Sequence, residues 1–177
     1  MSFSDPEQIL RQFSLGEDWH VADFGAGSGA YVLAAAERLS GGVVYAVDIN
    51  RSLLERVKKE AGERGLKNVE IFWGDVEDRG GSKLKDASMD AVVVANVLFQ
   101  VGSKKGVAEE VWRVLKPKRR TLVIDWTDSF GGLGPHTNLI FPKEKARELF
   151  DNNGFEYEQE INAGDHHYGL IFKKIAS

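Results

Sequence analysis

The chain has 177 residues, no cysteine and a formal net charge of -4. A chain of this length buries roughly 70% of its unfolded surface as one domain. The absence of cysteine excludes disulfides, thiolate metal sites and cysteine nucleophiles, and the acidic balance weighs against a large nucleic-acid footprint. No apolar run approaches the roughly 20 residues that span a bilayer. The opening "MSFSDPEQIL" lacks the basic start and apolar stretch of a secretory leader, so a cytoplasmic setting is expected.

Asp5 followed by Pro6 marks a helix start, with Ile9, Leu10 and Phe13 on one face. "HVADF" reads as a strand, and after "GAGSG" a helix carries Val32, Ala35, Ala36 and Leu39 at helical spacing. "VVYAVD" is a second strand. Ser52 and Glu55 form a capping-box pattern ahead of Leu53, Leu54, Val57 and Ala61, with Gly65 as the stop. "VEIFW" and "DAVVVAN" are the third and fourth strands. Ser103 opens a helix with Val107, Val111, Val114 and Leu115, which Pro117 ends. "KPKRR" at 116–120 reads as a solvated turn before the fifth strand, "TLVID". Pro142 starts a helix bearing Ala146, Leu149 and Phe150 that closes near Gly154. "FEYEQEI" alternates apolar and acidic residues, as a strand wet on one face does, and "YGLIFKKI" follows closely enough to pair antiparallel.

Apolar strands alternating with helices imply a parallel sheet covered on both faces. The expected fold is therefore a doubly wound α/β domain over 1–177, ending in a β-hairpin, with 1–18 as a helical cap. Ligands of such sheets bind at the carboxyl ends of the strands. The loops beginning at 25, 48, 74, 96 and 126 meet there, joined by the hairpin turn at 162–167.

Gly25, Gly27 and Gly29 crowd the first strand-to-helix turn, where a ligand can lie on backbone N–H groups at the positive end of a helix. Gly25, Gly27 and Ala30 also satisfy a relaxed dinucleotide fingerprint. The neighbouring carboxylates discriminate between the two ligands. Asp23, two residues before Gly25, would repel a pyrophosphate and attract an ammonium group. Asp48, at the end of the second strand, can accept both hydroxyls of a ribose, each such charged hydrogen bond contributing roughly 1.5–3 kcal/mol. Asp75, in "WGD", is placed to accept from the exocyclic amine of an adenine. A cationic head, a ribose and an adenine without phosphates describe S-adenosylmethionine.

At this level the chain resembles the class I S-adenosylmethionine-dependent methyltransferases, in the small single-domain group similar to the ubiquinone-biosynthesis and generic methyltransferase-domain families. "DFGAGSG" resembles motif I, "VDIN" the acidic motif after strand two, "GDVED" the adenine-contacting motif, and "VLKP" the motif before strand five. The resemblance implies a mostly parallel seven-stranded sheet of order 3-2-1-4-5-7-6 with strand 7 antiparallel. It places Asp23, Gly25, Ala26, Gly27 and Gly29 around the methionine end, with Tyr31 covering it or packing in the core. It puts Asp48, Ile49 and Asn50 at the ribose, Gly74, Asp75 and Val76 at the adenine, and Asn96 beneath the sulfonium. Family members often carry two glycines after "LKP", where this chain has Lys118 and Arg119.

Methyl transfer needs alignment and a general base only if the nucleophile must lose a proton. The catalytic candidates are His136, His166 and His167. Phe3, Phe99 and Trp126 join His136 and His166 as substrate-side candidates. Adjacent residues on an extended chain point to opposite sides, so only one of His166 and His167 can face the pocket. His136 and Asp165 keep a metal site conceivable, but none is expected. "NVLFQV" lacks the Asn-Pro-Pro-aromatic pattern of many base- or glutamine-directed enzymes, which favours a small-molecule acceptor acting with a monomer or homodimer. The alternatives are an RNA or protein methyltransferase, a non-catalytic S-adenosylmethionine-binding protein, and a nicotinamide-dependent oxidoreductase.

Overall fold

A computed structural model describes residues 4–176. Seven strands form one sheet: β1 (His20–Phe24), β2 (Val43–Asp48), β3 (Val69–Trp73), β4 (Met89–Ala95), β5 (Leu115–Trp126), β6 (Phe155–Ile161) and β7 (His167–Lys174). Their order is β3-β2-β1-β4-β5-β7-β6, with β7 antiparallel to both neighbours and the remaining pairs parallel, as the resemblance implies.

Five helices cover the two faces: α1 (Pro6–Phe13), α2 (Ala30–Arg38), α3 (Arg51–Glu63), α4 (Lys104–Val114) and α5 (Lys143–Asp151). Ile9, Leu10 and Phe13 of α1, Val32 and Ala35 of α2, and Leu54 and Val57 of α3 pack with Val21, Ala91, Val93, Leu122 and Ile124 on one face. Val107 and Val111 of α4 and Ala146 and Phe150 of α5 pack with Phe24, Val92, Val94 and Val123 on the other. The central strands are continuous apolar runs because both faces are covered; six of the seven residues of β4 are buried.

Three local expectations are corrected. The cap of α3 is Asn50, whose side chain accepts from Leu53 N at 3.1 Å, so Ser52 lies within the first turn rather than capping it. Asn50 prevails because its own N–H is held by Asp48 at the strand tip. The helix α4 ends at Val114, before Pro117 acts, because Leu115 already pairs with Met89 in the sheet. The basic cluster is an irregular start to β5 rather than a free turn, since the pairing jumps from Met89–Leu115 to Ala91–Arg120. Lys116 and Arg119 bind Asp90 at 2.9 and 3.2 Å, and Arg120 donates to Phe13 O at 2.9 Å. This cluster lies at the amino edge of the sheet, opposite the strand tips.

Lys118 takes a left-handed φ of +63° at the position where family members often carry glycine. A side chain there costs roughly 1–2 kcal/mol, less the extra entropy that glycine loses on folding. Lys118→Gly is expected to raise unfolding free energy by about 0.5–1 kcal/mol in a urea titration.

The chain runs outward from β1 to β2 and β3, then crosses back to β4 on the other side of β1. The strand order therefore reverses between the carboxyl ends of β1 and β4, which is where an open α/β sheet leaves a crevice.

Candidate functional site

The crevice begins at the turn after β1, where Gly25, Gly27 and Gly29 all have positive φ. They are there for different reasons. A Cβ on Gly25 would lie 2.6 Å from Val97 Cγ2, and one on Gly29 would lie 2.6 Å from Val57 Cγ2. These two glycines let the turn pack against the β4 loop and α3. Around Gly27 a Cβ would meet nothing closer than Gly25 O at 3.9 Å, so its bare side faces the groove itself. Gly25 N and Ala26 N both donate to Val47 O, which locks the turn to β2. Gly27→Ala is expected to cost about 1 kcal/mol of stability from φ alone, and to weaken any ligand lying on the turn by more than that stability loss accounts for. Comparing urea midpoints with ligand titrations separates the two effects.

One lobe of the groove, of about 340 Å³, is lined by Gly25, Gly27, Asp48, Ile49, Asn50, Leu53, Gly74, Asp75, Val76, Glu77, Val97, Gln100 and Val101. Asp48 accepts from Gly27 N at 2.9 Å and from Asn50 N at 2.8 Å, one bond on each oxygen. A carboxylate oxygen has further acceptor capacity, so both oxygens remain able to receive hydroxyls. Asp75 accepts from Glu77 N through Oδ1 at 2.9 Å, which orients its other oxygen. Ile49 is 65% exposed at the lobe's mouth, an apolar side chain with nothing above it. Glu77 in turn receives Ser103 N at 2.5 Å and ties this loop to the start of α4.

The adjoining lobe, of about 440 Å³, shares Gly25, Gly27 and Gln100 with the first. Its further walls include Asp23, Ala26, Tyr31, Asn96, Phe99 and Trp126. Asp23 is buried, and among the described residues no hydrogen bond offsets that burial. Burial first, and the Asp48 charge second, push its carboxyl up to about 8. Asn96 has a left-handed φ of +58° and a buried Oδ1 that no donor reaches. Tyr31 is both a core residue of α2 and a wall of the lobe, with its hydroxyl buried beside Ser4.

Asp125 was not among the expected site residues. It stands at the tip of β5, the same signal that marked Asp23 and Asp48, but it turns inward. It accepts from Trp126 N at 2.8 Å and Phe99 N at 3.2 Å, and Leu98 N also donates to it. Burial pushes it up to about 6. Its effect is to fix the turn that carries Phe99 and Gln100 to the floor of the groove. The loop residues Val97, Gln100 and Val101 were also missed, because no residue type in "VLFQV" signals a ligand.

The histidines separate as the strand alternation requires. His167 is buried against Trp126, its ring centroid 4.1 Å from the indole. His166 faces the other way, with Nδ1 2.7 Å from Asp128 and its ring stacked on Phe130 at 4.4 Å. His136 is exposed beside a single 3-10 turn (Thr137–Leu139) and lines neither lobe. Among the described residues, no group of three His, Asp or Glu is gathered to hold a metal ion. Phe3 lies outside the described residues.

A reversed-order α/β sheet with a glycine turn and acidic strand tips defines a Rossmann-like nucleoside-binding fold. Residues 15–169 match the methyltransferase-domain family, and the chain belongs to it. A SAM-dependent methyltransferase from Aquifex aeolicus shares the fold, with a TM-score of 0.88 at 24% identity, over 98% of this chain and 91% of that one. In sequence, the chain is 34% identical over 103 residues to nocamycin O-methyltransferase of Saccharothrix syringae, covering 55% of this chain and 34% of that protein. It is 30% identical over 122 residues to the ubiquinone/menaquinone biosynthesis C-methyltransferase UbiE of Desulfotalea psychrophila, covering 69% and 45%. The chain spans less than half the length of each of these two relatives. No helix among the described residues is long and apolar enough to cross a membrane.

Proposed function

We propose that this chain transfers a methyl group from S-adenosylmethionine to a small-molecule acceptor. The observation that carries the reading is Asp23, a buried carboxyl at the floor of a groove to which no hydrogen bond is made among the described residues. Such a group is costly unless a cation arrives to pair with it, and a diphosphate would make it worse. The bare face of Gly27, the spare acceptor capacity of Asp48 and the orphaned Asn96 Oδ1 fit the same cofactor. Two of the relatives by sequence are named as methyltransferases of small molecules, which agrees with a groove whose lobes measure about 340 and 440 Å³.

In this reading Asp23, Gly25, Ala26 and Gly27 hold the amino-acid end, with Tyr31 along its side. Asp48 and Asn50 hold the ribose. Ile49, Asp75 and Val76 bracket the adenine, and Asn96 closes the floor between the lobes. When bound, the cofactor supplies a methyl carbon activated by a positive sulfur. The protein's own work is to orient: Asp125 fixes the Phe99 turn, and Phe99 and Trp126 wall the lobe against water. The basic cluster at 116–120 lends no support to an RNA acceptor, since Lys116, Arg119 and Arg120 are engaged within the protein at the far edge.

A thermal-shift comparison tests the reading. S-adenosylmethionine and its demethylated product should each raise the melting temperature, while NADH leaves it unchanged. Stabilisation by NADH alone would overturn the assignment.

A further inference from the structure

Trp73 ends the edge strand β3 and does little for the core, since it is 55% exposed. An indole left largely in water gains little from burial, so its place has to be explained by the contacts it makes. Its single polar atom is engaged: Nε1 donates to Ile49 O at 2.9 Å. One face of the ring is covered by Arg51, the first residue of α3, whose guanidinium carbon lies 3.6 Å from the ring centroid.

These contacts converge on one peptide group. The C=O of Ile49 and the N–H of Asn50 lie in the same rigid plane. Trp73 holds its oxygen end, and Asp48 Oδ1 holds its nitrogen end at 2.8 Å. A peptide bound at one end can still swing, whereas one bound at both ends cannot. The main chain of β3 does not supply the first of these bonds. It reaches the tip of β2 through Gly74 N and Asp48 O, at 3.1 Å, and then departs to form the Gly74–Glu77 wall of the smaller lobe. The indole extends the grip one residue further along the tip.

The plane matters because of what it carries. Ile49 stands at the mouth of that lobe, and Asp48 is tied to the plane through Asn50 N. Its other oxygen receives Gly27 N at 2.9 Å. If the plane tilts, Asp48 must either follow the Asn50 N–H or release it, and its oxygens change position in both cases. Trp73 lines neither lobe, so its influence on a ligand passes through this peptide.

We propose that Trp73 is a positioning residue for the adenosine part of the cofactor. Its N–H sets the Ile49–Asn50 peptide, which aims Asp48 at the ribose hydroxyls and Ile49 at the base, while Arg51 steadies the ring. This rests on the methyltransferase reading above.

Trp73→Phe keeps a ring beneath Arg51 and removes the N–H alone. Calorimetric titrations of parent and variant use the demethylated cofactor, adenosine and 2′-deoxyadenosine, the weaker ligands in competition. The variant should bind adenosine and the demethylated cofactor more weakly by the same factor, about 5-fold, because the defect lies in the part they share. The parent should prefer adenosine to 2′-deoxyadenosine at least about 10-fold, and the variant no more than about 3-fold, because a displaced Asp48 gains less from the 2′-hydroxyl. Lost packing alone would lower the urea midpoint and leave that preference intact. Arg51→Met retains the indole N–H but uncovers its ring, so it should fall between the other two proteins in both readouts. It carries the comparison if Trp73→Phe loses its melting transition. Parental affinity or parental ribose preference in Trp73→Phe, unequal losses for adenosine and the demethylated cofactor, or an Arg51→Met variant indistinguishable from the parent would each overturn the proposal. The parent's own titration separates the two readings: without cofactor binding both fail, whereas binding that Trp73→Phe leaves unchanged removes only the positioning role.

Discussion

Asp48→Ala should lose at least about 100-fold in S-adenosylmethionine affinity while the protein still folds. Two charged hydrogen bonds to ribose hydroxyls, each worth roughly 1.5–3 kcal/mol, disappear together. The structure adds a second consequence. Asp48 also receives Gly27 N and Asn50 N, so the variant releases the glycine turn and the start of α3 at once. A loss of about 1–2 kcal/mol in urea unfolding is expected from those two bonds. Asp48→Asn keeps one carbonyl oxygen as an acceptor and should fall between the two. Calorimetric titration measures the first effect and denaturant unfolding the second; a variant that binds the cofactor like the parent would refute the ribose role.

Asp23→Asn should move stability and affinity in opposite directions. The carboxyl titrates at 3.8 in the unfolded chain and at about 8 in the fold. Between those values the native state holds the extra proton, so stability falls as pH rises from about 4 to about 8 and levels off above. An amide does not titrate. The variant's advantage should therefore be absent below pH 4, grow through that window, and reach on the order of a few kcal/mol at pH 8.5. Cofactor affinity of the parent should rise over the upper part of the same window, because the charged form that pairs with an ammonium is then already present. The variant should bind at least about 10-fold more weakly at pH 8, with little dependence on pH. Parallel pH series of melting temperature and Kd check both signs. A variant less stable than its parent at pH 8.5 would show that Asp23 is satisfied within the fold.

Much of this arrangement is legible in the sequence because it follows from local rules. The strands ending at Phe24, Asp48, Trp73, Ala95 and Trp126 are apolar runs that stop at Gly or at a polar tip, and they leave their loops on one edge. The alternation that sends His166 and His167 to opposite sides needs no structure to be seen. What stayed hidden depends on long-range contact. Gly25 and Gly29 look identical to Gly27 in sequence, yet only tertiary packing shows that Val97 and Val57 claim the first two. Asp125 carries the same strand-tip signal as its ligand-facing counterparts, and nothing local says that it turns inward to cap the Phe99 turn. The cap of α3 passed from Ser52 to Asn50 for a similar reason, because Asp48 organises the residues beside it. Lys118 departs from the glycines often found there, and the backbone keeps the left-handed turn regardless.

The most direct measurement of the central claim is proton release on cofactor binding, read by calorimetry at pH 7 in two buffers of different ionisation enthalpy. Asp23 enters the reaction protonated, with a carboxyl at about 8, and leaves it paired with an ammonium group. Release of close to one proton per S-adenosylmethionine by the parent, and of none by Asp23→Asn, is the expected result. Tight binding with no proton released, or the same release from both proteins, would mean that the cation does not meet this carboxyl.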